Sequence, residues 1–210
     1  MGAILLEFAW EVIKENRRAY LIINGLFYAL LIGSMGYAAI VPSAQTALLN
    51  TAGDGLMTGA LSMIGKGYGT TEILTQLGVL FLGNLMGTNF LGITVPTLII
   101  PFSGLALGGF HAIQWGLLFS PADPTMRSRI VMHSLSLILE GQANILAMLG
   151  AYILGRGIIW PRSIGVSTRR AAFIEGLRQA GALYSWVVLA LALDVLYGLV
   201  EVSFLAQYLH

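Results

Sequence analysis

The chain has no cysteine, which excludes disulfides, thiolate-bound metals and iron–sulfur ligation and leaves the redox compartment open. It is also poor in charge. Asp, Glu, Lys and Arg together make up 10% of the residues against 57% hydrophobic ones. With a mean hydropathy of +0.80, that balance leaves too little polar surface for a water-soluble domain of 22.5 kDa. The net charge is +1, with no basic run and no basic stripe interleaved with aromatics, so no nucleic-acid partner is expected. His-Glu-x-x-His, Gly-x-Ser-x-Gly and metal-ligand clusters with usable spacing are missing. Gly59 to Lys66 has the outline of a phosphate-binding loop, but five residues separate its glycines and Gly67 stands where Ser or Thr is needed. The chain is therefore expected not to be an enzyme and to carry no cofactor. Haem ligation through His111 or His133 has nothing specific behind it.

What the sequence does have is long apolar runs. A hydrocarbon core of ~30 Å needs about 20 apolar residues in a helix, and runs of that kind cover residues 19–41, 72–90, 94–119, 130–154 and 182–205. The expected fold is all-α: a polytopic helical membrane protein with about five transmembrane helices forming a single domain over residues 19–210. Residues 1–18 read as an amphipathic interfacial helix, with Ile4, Leu5, Phe8, Trp10 and Val12 on the apolar side. Such a helix lies at the membrane surface or packs on neighbouring subunits. Residues 43–69 are interrupted by Asp54, Lys66 and many small or polar positions, and read as a second interfacial or re-entrant helix with a glycine-rich exit. Asn89, Gly92 and Pro96 favour turns and helix starts, so residues 87–96 are expected to link the second and third spans into a tight hairpin.

Five spans with a cytoplasmic N-terminus put Lys14, Arg17, Arg18, Arg156, Arg162, Arg169, Arg170 and Arg178 inside and only Lys66, Arg127 and Arg129 outside. The positive-inside rule favours this arrangement, which places the C-terminus outside the cytoplasm and the protein in the cell membrane.

The 26 glycines imply close helix contacts or broken helices. Gly83 and Gly87, and likewise Gly104 and Gly108, stand four apart, a spacing that lets helix backbones approach closely. They are expected to be packing surfaces inside the monomer rather than an oligomer interface. Next to Pro96 and Pro101 they could instead unwind the third span and expose carbonyls, as in transporter sites.

Glu140 falls near the middle of the fourth span, where a carboxylate costs several kcal/mol unless it is neutralised, paired or hydrated. His133, seven residues earlier, lies on nearly the same helical face two turns away. Asp194 is central in the fifth span and could pair with Glu140 or share a proton with it. Asn84 offers an amide at a comparable depth. These four are the intramembrane polar candidates. Their bland alternative is hydrogen-bonded packing, with Gln142, Asn144, Ser134 or a neighbouring helix satisfying Glu140, and His111 a satisfied polar residue.

Short elements of the middle of the chain carry a resemblance. Phe81-Leu82-Gly83-Asn84, then Gly92-Ile93-Thr94-Val95-Pro96-Thr97, then Gly104-Leu105-Ala106-Leu107-Gly108, and finally Glu140-Gly141-Gln142-Ala143 resemble, in order and spacing, the stage II sporulation protein M family over about residues 77–161. Two departures are visible: Ser103 stands where the family has Asn, and His133 precedes the glutamate by seven residues instead of four. The resemblance implies a multi-span membrane protein without known catalysis, whose founding type organises cell-wall hydrolases within a membrane complex. Two functions fit these features. The first is a non-catalytic scaffold or subunit that meets lipid and other integral membrane subunits, or forms a homo-oligomer. The second is a permease-type transport component with a proton- or cation-handling site around Glu140.

Overall fold

The computed structural model describes residues 2–57, 70–122, 124–164, 166 and 168–208. Among these it is all-helical: α1 (Gly2–Glu15), α2 (Arg17–Ile40), α3 (Pro42–Met57), α4 (Thr70–Leu82), a π-helix (Gly83–Thr94), α5 (Val95–Ile99), α6 (Ser103–Leu118), α7 (Pro124–Ile159), a 3-10 turn (Pro161–Ile164) and α8 (Arg169–Tyr208). Four helical stretches are long and apolar enough to cross a membrane: Arg17–Ile40, Ile73–Ile99, His133–Ile159 and Arg169–Glu201. The protein has the build of a polytopic membrane protein.

α7 is the axis of the bundle, with 72% of its most apolar window buried, whereas the other three long stretches are buried over only 17–22% of theirs. Ile145, Leu149 and Ile153 on α7 pack with Leu183, Val187 and Leu191 on α8, with Phe27 and Leu31 on α2, and with Ile93 of the π-helix. A membrane protein can leave the outer faces apolar because lipid covers them, which explains exposed Leu21, Ile22, Ile32 and Ile40 on α2.

α7 and α8 form an antiparallel hairpin, since Glu201 lies opposite His133 near the start of α7, and Ala180 lies against Gly150 near its end. The stretch α4–π–α5 also runs antiparallel to α8: Leu77 approaches Gly198, and Thr94 Oγ1 and Tyr184 Oη are 2.7 Å apart. α2 ends where α7 begins, because Ser120 Oγ donates to the Met35 carbonyl at 2.9 Å. At that same end Gln45 Nε2 on α3 donates to the carbonyls of Leu118 and Ser120, at 3.0 and 3.1 Å. The chain thus leaves α2 and enters α4 at one end of the bundle, in line with an interfacial or re-entrant stretch after the first span. Its glycine-rich exit, with Lys66 and the discarded phosphate-loop outline, lies outside the described residues.

The expected hairpin between the second and third spans exists, but its turn lies later in the chain than 87–96. That segment is helical throughout, and the turn falls at Ile100–Phe102. Pro96 stands where the π-helix passes directly into α5. Phe102 takes the left-handed conformation (φ 69°), and its ring is fixed between Tyr152 and Trp160, with centroids 6.2 and 5.7 Å away. The expected third span is consequently shorter: α6 has 16 residues, or ~24 Å of helix, and is shorter than the four long stretches. It still runs between the two ends of the bundle, from Phe102 beside the end of α7 to Phe119, whose ring lies 4.8 Å from that of His133.

α1 is the helix expected at the membrane surface or on neighbouring subunits. It packs on its own chain: Ala9, Val12 and Ile13 are buried, Trp186 Nε1 donates to the Leu6 carbonyl at 3.2 Å, and the Arg178 guanidinium stands 4.4 Å above the Phe8 ring. Ile4 and Leu5, assigned to the apolar side, are exposed, whereas Trp10 lies beside Trp186 of α8, with ring centroids 6.5 Å apart.

Candidate functional site

A buried polar seam runs along the facing surfaces of α7 and α8. Its outer rung is His133 and Glu201, 7% and 2% exposed, with His133 Nδ1 3.3 Å from each oxygen of the Glu201 carboxyl. Seven residues on along α7 and seven back along α8 stands the inner rung, Glu140 and Asp194, whose carboxyl groups are in hydrogen-bonding contact. Seven residues is close to two helical turns, so each helix presents both of its groups on one stripe, and the antiparallel hairpin matches the stripes rung to rung. A hydrogen bond between two carboxyl groups requires a proton between them, because a pair of carboxylates can only accept.

The inner rung has further neighbours. Asn84 Nδ2 donates to Glu140 Oε1 at 2.7 Å, so the amide reaches the carboxyl from the third helix of the site. Asn84 is the second residue of the π-helix, and Asn89 Nδ2 returns to the Asn84 carbonyl at 2.8 Å, across the five-residue step of that helix. π-Helical segments lie frequently at functional sites. On the other flank Asp194 meets Ser136, a buried hydroxyl one turn along α7 from both His133 and Glu140. Asp194 Oδ1 is buried without a hydrogen-bond partner.

All four polar candidates thus belong to one site. His133 and Glu140 do share a face, but His133 pairs with Glu201, not with Glu140. Glu201 and Ser136 are the members that sequence reasoning overlooked. The signal for Glu201 was available: Asp194 and Glu201 repeat on α8 the seven-residue spacing of His133 and Glu140 on α7. The near-sequence partners proposed for Glu140 lie elsewhere. Gln142 bonds with Tyr20, Asn24 and Tyr28 of α2, Ser134 donates to the Val131 carbonyl, and Asn144 Oδ1 is buried and unpartnered. His111 Nδ1 is also buried and unpartnered, which corrects the expectation of a satisfied histidine.

The two glycine pairs separate. A side chain at Gly104 would collide with the Ile93 carbonyl and Thr97 Oγ1, and one at Gly108 with the Met148 side chain, so these are close-approach positions inside the monomer. Gly83 and Gly87 meet nothing within 4 Å and lie on the outer face of the π-helix, which corrects their assignment to packing within the monomer.

The charge balance of the seam is lopsided. It holds three carboxyls and one imidazole, and the sequence has no Lys or Arg within residues 130–155 or 179–208, nor within 70–99, the stretch that supplies Asn84. Among the described residues, no group of three or more metal-ligating side chains has a metal-binding arrangement. No family model, curated protein or solved structure matches the chain.

Proposed function

We propose that this protein is an integral membrane component that handles protons or a small monovalent cation at the α7–α8 seam, the permease-type reading of its sequence. The observation that carries it is the charge balance: three carboxyls share one imidazole, with no Lys or Arg in the facing segments to neutralise the rest. Buried carboxyls at this depth are tolerated only when something neutralises them, and a proton or cation taken up from solution would do so. The Asn84 amide, a donor held against Glu140 by a π-helix, orients the inner rung without adding charge.

The scaffold or subunit reading keeps one specific support, the outward face of the π-helix. Two glycines, Gly83 and Gly87, meet nothing within the chain, although Gly costs ~1 kcal/mol per position in a helix interior relative to Ala. Such a face suits close approach by another membrane helix, so the site would belong to one subunit of a larger membrane assembly. The likeness to the stage II sporulation protein M family belongs to this reading. Its elements meet in space, with Asn84 against Glu140 and Gly104 against Ile93 and Thr97. A cytoplasmic N-terminus, from the Arg and Lys distribution, completes the proposal.

Purification in mild detergent followed by reconstitution into vesicles tests both readings. Proton or cation flux that disappears in Glu140→Gln supports the first. Stoichiometric foreign subunits without flux support the second.

A further inference from the structure

A cavity of about 260 Å³ lies between α1, the start of α2, α7 and α8. It follows α8 from Trp186 to Leu193 and α7 from Leu146 to Leu139, seven residues on each helix, or about 10 Å of rise. Trp10 and Tyr20 bound it on the α1 and α2 sides. Its wall is apolar, and the polar side chains that reach it are already engaged. Tyr20 Oη donates to Gln142 Oε1 at 2.8 Å, and Gln142 Nε2 donates to Asn24 Oδ1 and Tyr28 Oη at 2.9 and 3.1 Å. Trp186 Nε1 donates to the Leu6 carbonyl. An apolar cavity of this kind stays dry, and one of about 150 Å³ already takes up benzene. The cavity is also open on its α8 side, where Leu189 and Leu193 are 37% and 46% exposed. Both lie in the stretch Arg169–Glu201, long and apolar enough to cross the membrane, so what meets them there is hydrocarbon.

We propose that this cavity is a phospholipid site: one acyl chain enters it from the surrounding bilayer between α1 and α8, and the phosphate of the same lipid stands beside Lys14. The mouth lies at Trp10 and Trp186, whose ring centroids are 6.5 Å apart, and Lys14 Nζ is 5.6 Å from the centre of the Trp10 ring. Tryptophan is favoured at the level of the lipid headgroups, so the ammonium stands where a headgroup ends and its chain begins. Lys14 is paired with Glu11 at 2.8 Å, with both side chains more than half exposed. Such an exposed pair contributes little and gives way readily to a phosphate. The charge of this end of the bundle selects an anionic lipid. Arg156 Nη1 reaches Asn16 Oδ1 at 3.2 Å, which brings the start of α2 to the end of α7, and residues 1–18 and 156–178 carry eight Lys and Arg against four Glu. Glu7 borders a shallower groove shared by the same two tryptophans, and the surplus of cations outweighs it and Glu11. Basic residues at the membrane surface attract anionic headgroups. A helix of a partner protein, about 10–12 Å across, needs far more room than the cavity offers.

The test is native mass spectrometry of the full chain, purified in detergent, stripped of lipid and titrated with dioleoylphosphatidylglycerol. One saturable lipid adduct per chain is expected. Ala190→Phe, which fills the cavity, should reduce that adduct several-fold, whereas Leu21→Trp, at an exposed position on α2, should leave it unchanged. Lys14→Ala should weaken the adduct and narrow the preference for phosphatidylglycerol over phosphatidylcholine. Adducts that accumulate without saturation, or that are as abundant in Ala190→Phe as in the parent, overturn the site. Equal loss in Leu21→Trp overturns its location. Undiminished binding and preference in Lys14→Ala overturn the placement of the phosphate while leaving the chain in the cavity. A lipid-free dimer that dissociates in Ala190→Phe would give the cavity to a second copy of the chain and overturn the lipid. Variants are compared only where they elute as a single species. If Ala190→Phe does not, Leu193→Trp, at an exposed position of the wall, narrows the same space from the bilayer side and carries the comparison.

Discussion

His133 Nδ1 lies 3.3 Å from both carboxyl oxygens of Glu201, in a position from which water is almost fully excluded on both sides of the pair. The bond joins residues 68 apart in sequence and fixes the register of α7 against α8 near the end of the hairpin. Removing one partner of a buried pair leaves the other uncompensated, which costs about 3–5 kcal/mol. His133→Leu and Glu201→Leu should each destabilise strongly, whereas the double variant should cost markedly less than their sum. Unfolding in detergent of the four members of this cycle measures the coupling, and strict additivity would show that the pair contributes nothing.

Glu140→Gln is expected to fold nearly as well as the parent. The amide oxygen still accepts from Asn84 Nδ2, and the new N–H can donate to Asp194, so both contacts survive without the need for a shared proton. Glu140→Leu instead strands the Asn84 donor and should lose about 1–3 kcal/mol. Thermal unfolding of both variants decides this, and equal losses would contradict the geometry.

The glycines should divide by position. Gly116→Ala pushes a methyl into the Ser34 hydroxyl and the Leu31 carbonyl, and Gly104→Ala pushes one into the Ile93 carbonyl, so both should lower the melting temperature by loosening α6 from its neighbours. Gly83→Ala and Gly87→Ala meet open space, and the monomer should be unaffected or gain up to ~1 kcal/mol in helix propensity. If the outer face receives another helix, the same two variants will reduce the assembled mass seen by light scattering while leaving the monomer intact.

The absence of cysteine makes the sidedness directly testable, because single cysteines can be placed without removing native ones. Ser43→Cys and Ala122→Cys lie at the end of the bundle where α2 finishes, and Arg162→Cys lies at the other end. An impermeant thiol reagent outside intact cells should label the first two and spare the third. Labelling of Arg162→Cys with protection of Ala122→Cys would invert the orientation.

Composition and spacing were enough for the class of fold and for most of the site. Low charge and long apolar runs can only be stable in lipid, so an all-helical membrane protein was legible, as was the isolation of Glu140 and Asp194 in runs without a Lys or Arg. The two matched seven-residue intervals, from His133 to Glu140 and from Asp194 to Glu201, were also present in the sequence. Their meaning was not, because the pairing of stripes depends on how α7 and α8 are aligned, and that alignment is set by side-chain packing along the whole hairpin. Helix ends were likewise settled in three dimensions. Gly92 and Pro96 allow a turn, but a helix that buries Ile93 and Thr97 against its neighbours gains more by continuing, and the turn moves to Pro101 and Phe102, where the aromatic rings of Tyr152 and Trp160 hold it. The same holds for the glycines: a spacing of four shows that close approach is available, and only the position of the neighbouring helix decides whether it is used, as at Gly104 and Gly108, or left on an outer face, as at Gly83 and Gly87.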